Sequence, residues 1–465
     1  MRTACLVVTP VIMTMAGALL YGAPAETNRP DSGLGNPSGL GHPALATNVE
    51  MMAASGEYAA IQAKRVAGLV TNAVLTLPKA LAMALLHNPE LAAFALEQRA
   101  ADARRIQAGL WPNPELDVAM ENLGGPSAQE GFDGPVIKIS VGQLIELGGK
   151  RAARRDVADA QHALAGWDYA GKRLDVLNMT MNRFMAALAA QKKKALAESV
   201  LIMAAEMQKA VAARVAAGRD SPLEEKKSSV ETVNARLAVE RARREWDKTR
   251  KNLAVTWGQS PPVFGGIEGN LDCLVARLPD WEQVYALMAG NPDIARWNDV
   301  LTLRRAAWQQ AKSVRMPDVT LIAGVDSFRD TGTESYRAGA SVPLPLFNRN
   351  QGGIREALAN SEKADKECAT AWLTMERELF TAFQEITMLH NESIALTTEV
   401  LPVARDVFAS ARKGYQQGKF SYLEVLDAQR TLLAAENRHI ETLVNYHSAR
   451  SQIERLIGKD LENIK

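Results

Sequence analysis

The sequence predicts a mainly α-helical chain with a smaller β portion, built from one structural unit used twice. Three observations predict it. Landmarks recur in the same order about 200 residues apart. Proline-free stretches are long enough for very long helices. Each copy also holds two short runs that alternate apolar and polar residues, the period of a strand.

The repeat can be read residue by residue. Asn88-Pro89-Glu90-Leu91 reappears as Asn291-Pro292-Asp293-Ile294, and Pro114-Glu115-Leu116 as Pro317-Asp318-Val319. Gly148-Gly149 has a counterpart in Gly352-Gly353. Gly218, Ser221, Leu223 and Glu224 recur as Gly418, Ser421, Leu423 and Glu424, and Trp257-Gly258 as Ile457-Gly458. This period is far too long for a solenoid, so one unit was copied once. The expected organisation is a signal peptide at 1–25, a flexible leader at 26–75, copy one at 76–264 and copy two at 265–465.

Composition excludes whole classes. The 465 residues are 47% hydrophobic and 23% charged with a formal net charge of +1, which fits neither a basic nucleic-acid binder nor a polyanionic disordered chain. Arg2, an apolar stretch from Ala4 to Leu20 and Ala23-Pro24-Ala25 read as an export signal cut before Glu26. An N-terminal membrane anchor is the weaker alternative, because the stretch is short and polar, Gly- and Pro-rich sequence follows it. Cys5 lies inside the signal, badly placed for a lipid anchor. Cys273 and Cys368 remain after processing, and their spacing leaves open whether they pair.

Each copy reads the same way. Order begins near Thr76, an N-cap with Pro78 just inside the helix, and each Asn-Pro pair caps and restarts a helix. Strand-like runs follow at about 115–122 and 136–147 in copy one, and 318–328 and 335–347 in copy two, joined by loops at 124–134 and 329–334. A helix over 149–217 would then extend on the order of 100 Å at ~1.5 Å per residue. Its counterpart over 353–417 contains Pro402, which predicts a kink or break. Both turn back at Gly-x-x-Ser into return helices over 222–257 and 422–457, where Leu426, Leu433 and Ile440 recur every seven residues.

After the signal no apolar run is long enough to cross a bilayer as a helix, so a spanning portion must be made of strands. The strands have about the required length, ~9–11 residues. Four of them leave open edges, which lipid does not tolerate. Closure demands several chains, and three would give a twelve-strand barrel.

At this point the chain resembles the TolC-type outer-membrane factors, and within them the branch serving heavy-metal efflux pumps of the CzcC and CusC kind. The resemblance runs from about Thr76 to the end. It rests on the Asn-Pro repeats, Trp111-Pro112-Asn113-Pro114-Glu115-Leu116, Glu121-Asn122-Leu123-Gly124-Gly125, Gln143 to Arg151, and the tip from Gly418 to Asp427. It implies a mainly α chain with a β-barrel portion: a trimeric 12-strand barrel, four strands per chain, above a long periplasmic α-helical barrel. It implies a homotrimer in outer-membrane lipid, docked to a periplasmic adaptor (membrane fusion protein) and an inner-membrane RND transporter. The implied cargo is divalent heavy-metal cations such as cobalt, zinc, cadmium or nickel, passed without chemistry or cofactor. Several relatives are lipoproteins, and this chain lacks a suitable cysteine.

The resemblance also singles out residues. Gly218, Arg219, Ser221, Gly418, Lys419 and Ser421 would form adaptor-docking tips. Glu424 and Asp427, three apart on one helix face, match carboxylates that ring a closed aperture, where threefold crowding should raise some pKa values and attract cations. Tyr415 matches a gate residue that ties neighbouring helices. In copy one the position of Asp427 is held by Lys227, beside Lys226 and with Arg219 in the turn, so basic residues of the first tip are expected to hold acidic residues of the second.

Chemistry of other kinds is not indicated. His42, His87, His162, His390, His439 and His447 form no ligand cluster, Gly148-Gly149-Lys150 lacks the frame of a phosphate loop, and no nucleophile–base motif stands out. Two other readings compete: the same duct carrying drugs, solvents or secreted protein, and a soluble periplasmic coiled-coil scaffold or adaptor. The second accounts for the helices but not for two duplicated strand hairpins of membrane-spanning length.

Overall fold

A computed structural model describes residues 74–121, 136–329 and 332–464. The expected signal, the leader up to residue 73, the loop at 124–134 and His42 lie outside them.

Copy one opens with β1 (Leu75–Thr76), α1 (Leu77–His87) and α2 (Pro89–Ala108), then the hairpin β2 (Glu115–Glu121) and β3 (Val136–Ile145). The helical hairpin α3 (Lys150–Ala216) and α4 (Pro222–Ala254) follows. Copy two repeats the order with β4 (Ile267–Glu268), α5 (Trp281–Leu287), α6 (Pro292–Ala295) and α7 (Trp297–Ser313). It continues with β5 (Val319–Phe328), β6 (Thr333–Ser341), α8 (Gln351–Ala395), α9 (Leu401–Gln416) and α10 (Tyr422–Ile457).

The Asn-Pro pairs do two jobs. Asn88 and Asn291 are buried N-caps whose Oδ1 accepts from Leu91 N and Asp293 N, each at 2.8 Å. Their amides reach across and donate to the ends of the return helices, Asn88 to the Thr256 carbonyl and Asn291 to the Arg455 carbonyl, each at 2.7 Å. One side chain thus locks the start of a copy to its end. Asn291→Ala would remove a cap, about 1 kcal/mol, and orphan a carbonyl, about 1–3 kcal/mol. A loss of about 2–4 kcal/mol is expected in denaturant unfolding followed by circular dichroism. Asn291→Ser keeps a capping oxygen and should lose roughly half as much.

The four longer strands form one antiparallel sheet in the order β2-β3-β5-β6, so the two copies meet at β3 and β5. Its faces differ sharply. One carries Leu116, Val118, Ile139, Val141, Leu321, Val325 and Tyr336, all in alternate register. The other carries Asp117, Glu121, Lys138, Ser140, Asp326 and Arg337, with ion pairs Lys138–Glu121 and Arg337–Asp326. Leu116, Val118, Ile139, Val141, Leu321 and Tyr336 are exposed in the single chain. An apolar outer face and a charged inner face are the pattern of a membrane barrel wall. Among the described residues, edges β2 and β6 have no partner.

Two expectations are corrected. The last strand ends at Ser341, not near 347, because Pro343 and Pro345 cannot donate to a ladder. Pro402 does not break the helix. A π-helical turn at Leu396–Val400 precedes it, and the chain stays helical from α8 into α9. A wider turn accommodates the missing donor and the ring. The other strand ends shift by one or two residues. Cys273 and Cys368 are free thiols.

The main core lies midway along α3. Phe184, Met185 and Leu188 pack with Trp246, Leu253 and Trp257 from the end of α4, and with Phe264, Ile267 and Leu271 of the connecting segment. Short strands β1 and β4 pair in parallel beside it, Leu75 opposite Ile267. From Phe184, α3 runs about 50 Å each way at 1.5 Å per residue, one end at the sheet and the other at the helical turn. Among the described residues no helix is long and apolar enough to cross a membrane.

Candidate functional site at the helical tips

Each helical hairpin reverses by the same device. Gly218 and Gly418 take φ of 71° and 76°, the left-handed region where a side chain is strained. Arg219 N then donates to the Arg214 carbonyl and Lys419 N to the Gly414 carbonyl, both at 2.9 Å, closing the helix ends. Ser221 and Ser421 cap the return helices, accepting from Leu223 N and Glu424 N.

Across the turn the two tips differ. In copy one Arg214 grips Asp220 with two bonds, Nε at 2.7 Å and a terminal nitrogen at 2.8 Å. In copy two the same positions, 200 residues on, are Gly414 and Phe420. The Phe420 ring lies so close over Gly414 that a Cβ there would stand 2.2 Å from it. The turn is pinned by charge in one copy and by an aromatic ring on a glycine in the other.

Tyr415 joins the two tips. It is buried, and its hydroxyl donates to Asp220 Oδ2 at 2.7 Å. The Arg214 guanidinium lies 4.7 Å from the centre of its ring and donates to its carbonyl at 3.1 Å. Hydrogen bonds from Arg214 hold the Asp220 carboxyl below the usual carboxylate range. Burial, and then Asp220, pushes the Tyr415 phenol up. Beneath this latch Val211, Tyr422, Val425 and Leu426 form a small apolar core, with burial pushing Tyr422 up to about 12. Arg412–Glu206 and Arg430–Glu231 add two further ion pairs between the hairpins, at 3.0 and 2.9 Å.

The acidic residues sit differently from one another. Glu424 closes a capping box, accepting from Ser421 N at 2.6 Å and Ser421 Oγ at 2.9 Å, and those bonds lower its pKa within one chain. Asp427 lies on the rim of a groove of about 680 Å³ between α9 and α10, with Glu399, Asp406 and Glu424, over Val400, Val403, Val407 and Phe420. Lys227, Arg219 and Lys419 are exposed, and among the described residues their side chains form no ion pair. Arg214, Asp220, Gly414 and Phe420 were not singled out from the sequence, although aligning the copies at their offset of 200 exposes both pairs. No group of three or more metal-ligating side chains occurs among the described residues.

Comparison with known proteins places this geometry. The profile of the family described as "Outer membrane efflux protein" matches residues 80–259 and 284–459. The cobalt-zinc-cadmium resistance protein CzcC of Cupriavidus metallidurans is 33% identical over 83% of this chain and 90% of its own. The nickel and cobalt resistance protein CnrC of the same organism is 27% identical over 60% of this chain and 66% of its own. Among solved structures, the open state of the MtrE outer membrane channel of Neisseria gonorrhoeae superposes with a TM-score of 0.71 at 18% identity, covering 83% of this chain and 89% of that one.

Proposed function

The chain belongs to the outer membrane efflux protein family, and from that premise we propose that it is the outer-membrane subunit of a tripartite pump exporting divalent heavy-metal cations. It is an outer-membrane duct with its helices in the periplasm, and not an enzyme. The observation that carries the cargo is the 33% identity, over most of both chains, to a cobalt-zinc-cadmium resistance protein.

Assembly follows from the unpaired edges β2 and β6: joining them between three copies gives twelve strands and no free edge. The tips at Gly218–Ser221 and Gly418–Ser421 are the surfaces offered to a periplasmic adaptor, which links the duct to an inner-membrane RND transporter. The Arg214–Asp220–Tyr415 latch holds the hairpins of one chain together, and the Glu424–Asp427 rim faces the aperture. Lys227 is free to meet that rim on the next chain.

The test is deletion of the gene, followed by growth across zinc, cobalt, cadmium, nickel, copper and silver with a drug panel alongside. Sensitivity to cobalt, zinc, cadmium or nickel alone is expected. Sensitivity confined to the drugs would overturn the cargo. An unheated gel of the outer-membrane fraction should show a trimer, and a monomer there would overturn the assembly.

A further inference from the structure

Inside one chain the two copies meet at a junction that can be read contact by contact. β3 and β5 lie side by side there, and so do the helices α3 and α7 that adjoin them. Two linkers cross the junction, 146–149 after β3 and 314–318 before β5. They pack closely, since a Cβ on Gly148 would stand 2.6 Å from the Met316 side chain. One carboxylate fastens them. Asp318 takes the Lys150 ammonium at 2.7 Å and accepts from Leu147 N at 3.0 Å.

The repeat supplies the pieces of this junction a second time and sets them apart. Pro317-Asp318-Val319 corresponds to Pro114-Glu115-Leu116, so Glu115 is the counterpart of Asp318. The left-handed N-cap Gly149 corresponds to the left-handed N-cap Asn350, so the linker 342–350 is the counterpart of 146–149. Within one chain these pieces sit on opposite flanks. The sheet runs β2-β3-β5-β6, and the helices next to it pack in the order α2-α3-α7-α8. Glu115 opens β2 on one flank, and 342–350 follows β6 on the other.

Both flanks are bare in the single chain. Leu344, Leu346 and Phe347 are 75%, 64% and 91% exposed, and three apolar residues within four positions make a patch. Leu110 and Trp111, before β2, are exposed as well. Arg315 and Arg349 share a cavity of about 400 Å³ with Leu346 and Phe347. Among the described residues the side chains of Arg315, Glu115 and Asp117 have no hydrogen bond or ion pair. Arg349 uses only its Nε, on the Pro345 carbonyl at 3.1 Å. By register Glu115 and Asp117 stand on the same sheet face as Leu144, Thr320 and Ser341, which line the recess beside the patch.

We infer that the linker 342–350 of one copy is the seat for residues 110–117 of the next, with Glu115 of the next copy paired to Arg349 as Asp318 is paired to Lys150. Leu110 and Trp111 of the next copy cover the patch. Arg315 and the next copy's Asp117 add one charge of each sign on the same face. Two free cations thus meet two free carboxylates, and covering the seat leaves no charge buried alone. The contact between chains then repeats the contact within a chain, head to tail around the ring. This rests on the copies joining β6 to β2.

The experiment is oxidative cross-linking of the full-length protein in outer membranes. Glu115→Cys and Arg349→Cys are combined in a chain that also carries Cys273→Ser and Cys368→Ser. Three strand spacings, about 14 Å, separate the two flanks of one chain, whereas a disulfide needs Cα atoms within about 7 Å. A bond between the two cysteines therefore joins copies. A heated, non-reducing gel should show covalent dimer and trimer that reduction removes, and either cysteine alone should give monomer. Monomer from the pair, beside an intact trimer on the unheated gel, overturns the seat and leaves the ring standing. Wild type without a trimer on the unheated gel sinks the ring itself. Charge reversal reads the ion pair. Arg349→Glu and Glu115→Arg should each lower the temperature at which the trimer dissociates in detergent, and the two together should recover it. A double reversal no more stable than the single ones overturns the pairing.

Discussion

Asp220→Ala is expected to raise the closed-state conductance of the channel more than any other single substitution at the tips. Asp220 accepts three hydrogen bonds, two from Arg214 and one from Tyr415. Its removal leaves a guanidinium and a phenol unpaired between the hairpins. Tyr415→Phe should have the same sign and a smaller size. It loses one bond to a charged group, about 1.5–3 kcal/mol, and keeps the stacking of Arg214 on the ring. Single-channel recording in planar bilayers reads both, and conductance unchanged in Asp220→Ala would remove the latch from the closed state. Lys227→Glu belongs in the same series. Among the described residues its side chain has no ion pair to lose, so a rise in its conductance would locate a contact to the neighbouring chain.

The latch should also be indifferent to pH over the range a periplasm meets. The folded-state pKa of Asp220 is depressed, chiefly by Arg214. A depressed carboxylate contributes its full stability above the unfolded value, near 4, and loses it only as pH falls through the lower folded value. Closed-state conductance of the wild type is therefore expected to be flat between about pH 5 and 8.

Much of the architecture was legible because it is periodic or punctuated. Gly218, Gly418 and the Asn-Pro pairs mark where the backbone must turn or cap, and Ile137, Ile139 and Val141 mark one sheet face whatever packs against it. The latch was not legible, because it is a contact between side chains six apart across a turn and a third side chain some 200 residues away. No local period reports such a contact. The copied positions held the missing clue: where one copy has Arg214 and Asp220, the other has Gly414 and Phe420, two chemically unrelated answers to the same geometric need. The end of β6 was misplaced for a different reason. The hydrophobicity of 342–347 resembles a strand, yet Pro343 and Pro345 remove it from the ladder and leave Leu344, Leu346 and Phe347 exposed in the single chain.

Val233→Asp combined with Leu237→Asp is expected to abolish the trimer while leaving the fold of each chain intact. On α4, Ser228, Thr232 and Ala235 are buried within the chain. At about 100° per residue, Leu223, Val230, Val233 and Leu237 fall on the opposite side, all exposed and spaced seven, three and four apart. That is the spacing of a helix seam with no helix on it. In the helical layer α3 packs on both α4 and α10, and α10 packs on α9, so α4 and α9 are the two flanks. The α9 flank carries its own exposed row, Val400, Val403 and Val407, along the groove against α10. Setting the α4 stripe of one copy into the α9–α10 groove of the next is a head-to-tail contact, and repeated at a constant rotation it closes a ring. Each stripe residue is worth roughly 1.5–3 kcal/mol when fully buried. An aspartate in its place must bury a charge beside Glu399, Asp406 and Asp427, which repel it. The double variant should run as a monomer on an unheated gel with unchanged far-ultraviolet circular dichroism, whereas Val233→Leu keeps the trimer. A trimer that survives both aspartates would show that the barrel edges alone hold the assembly and that the stripe faces something else.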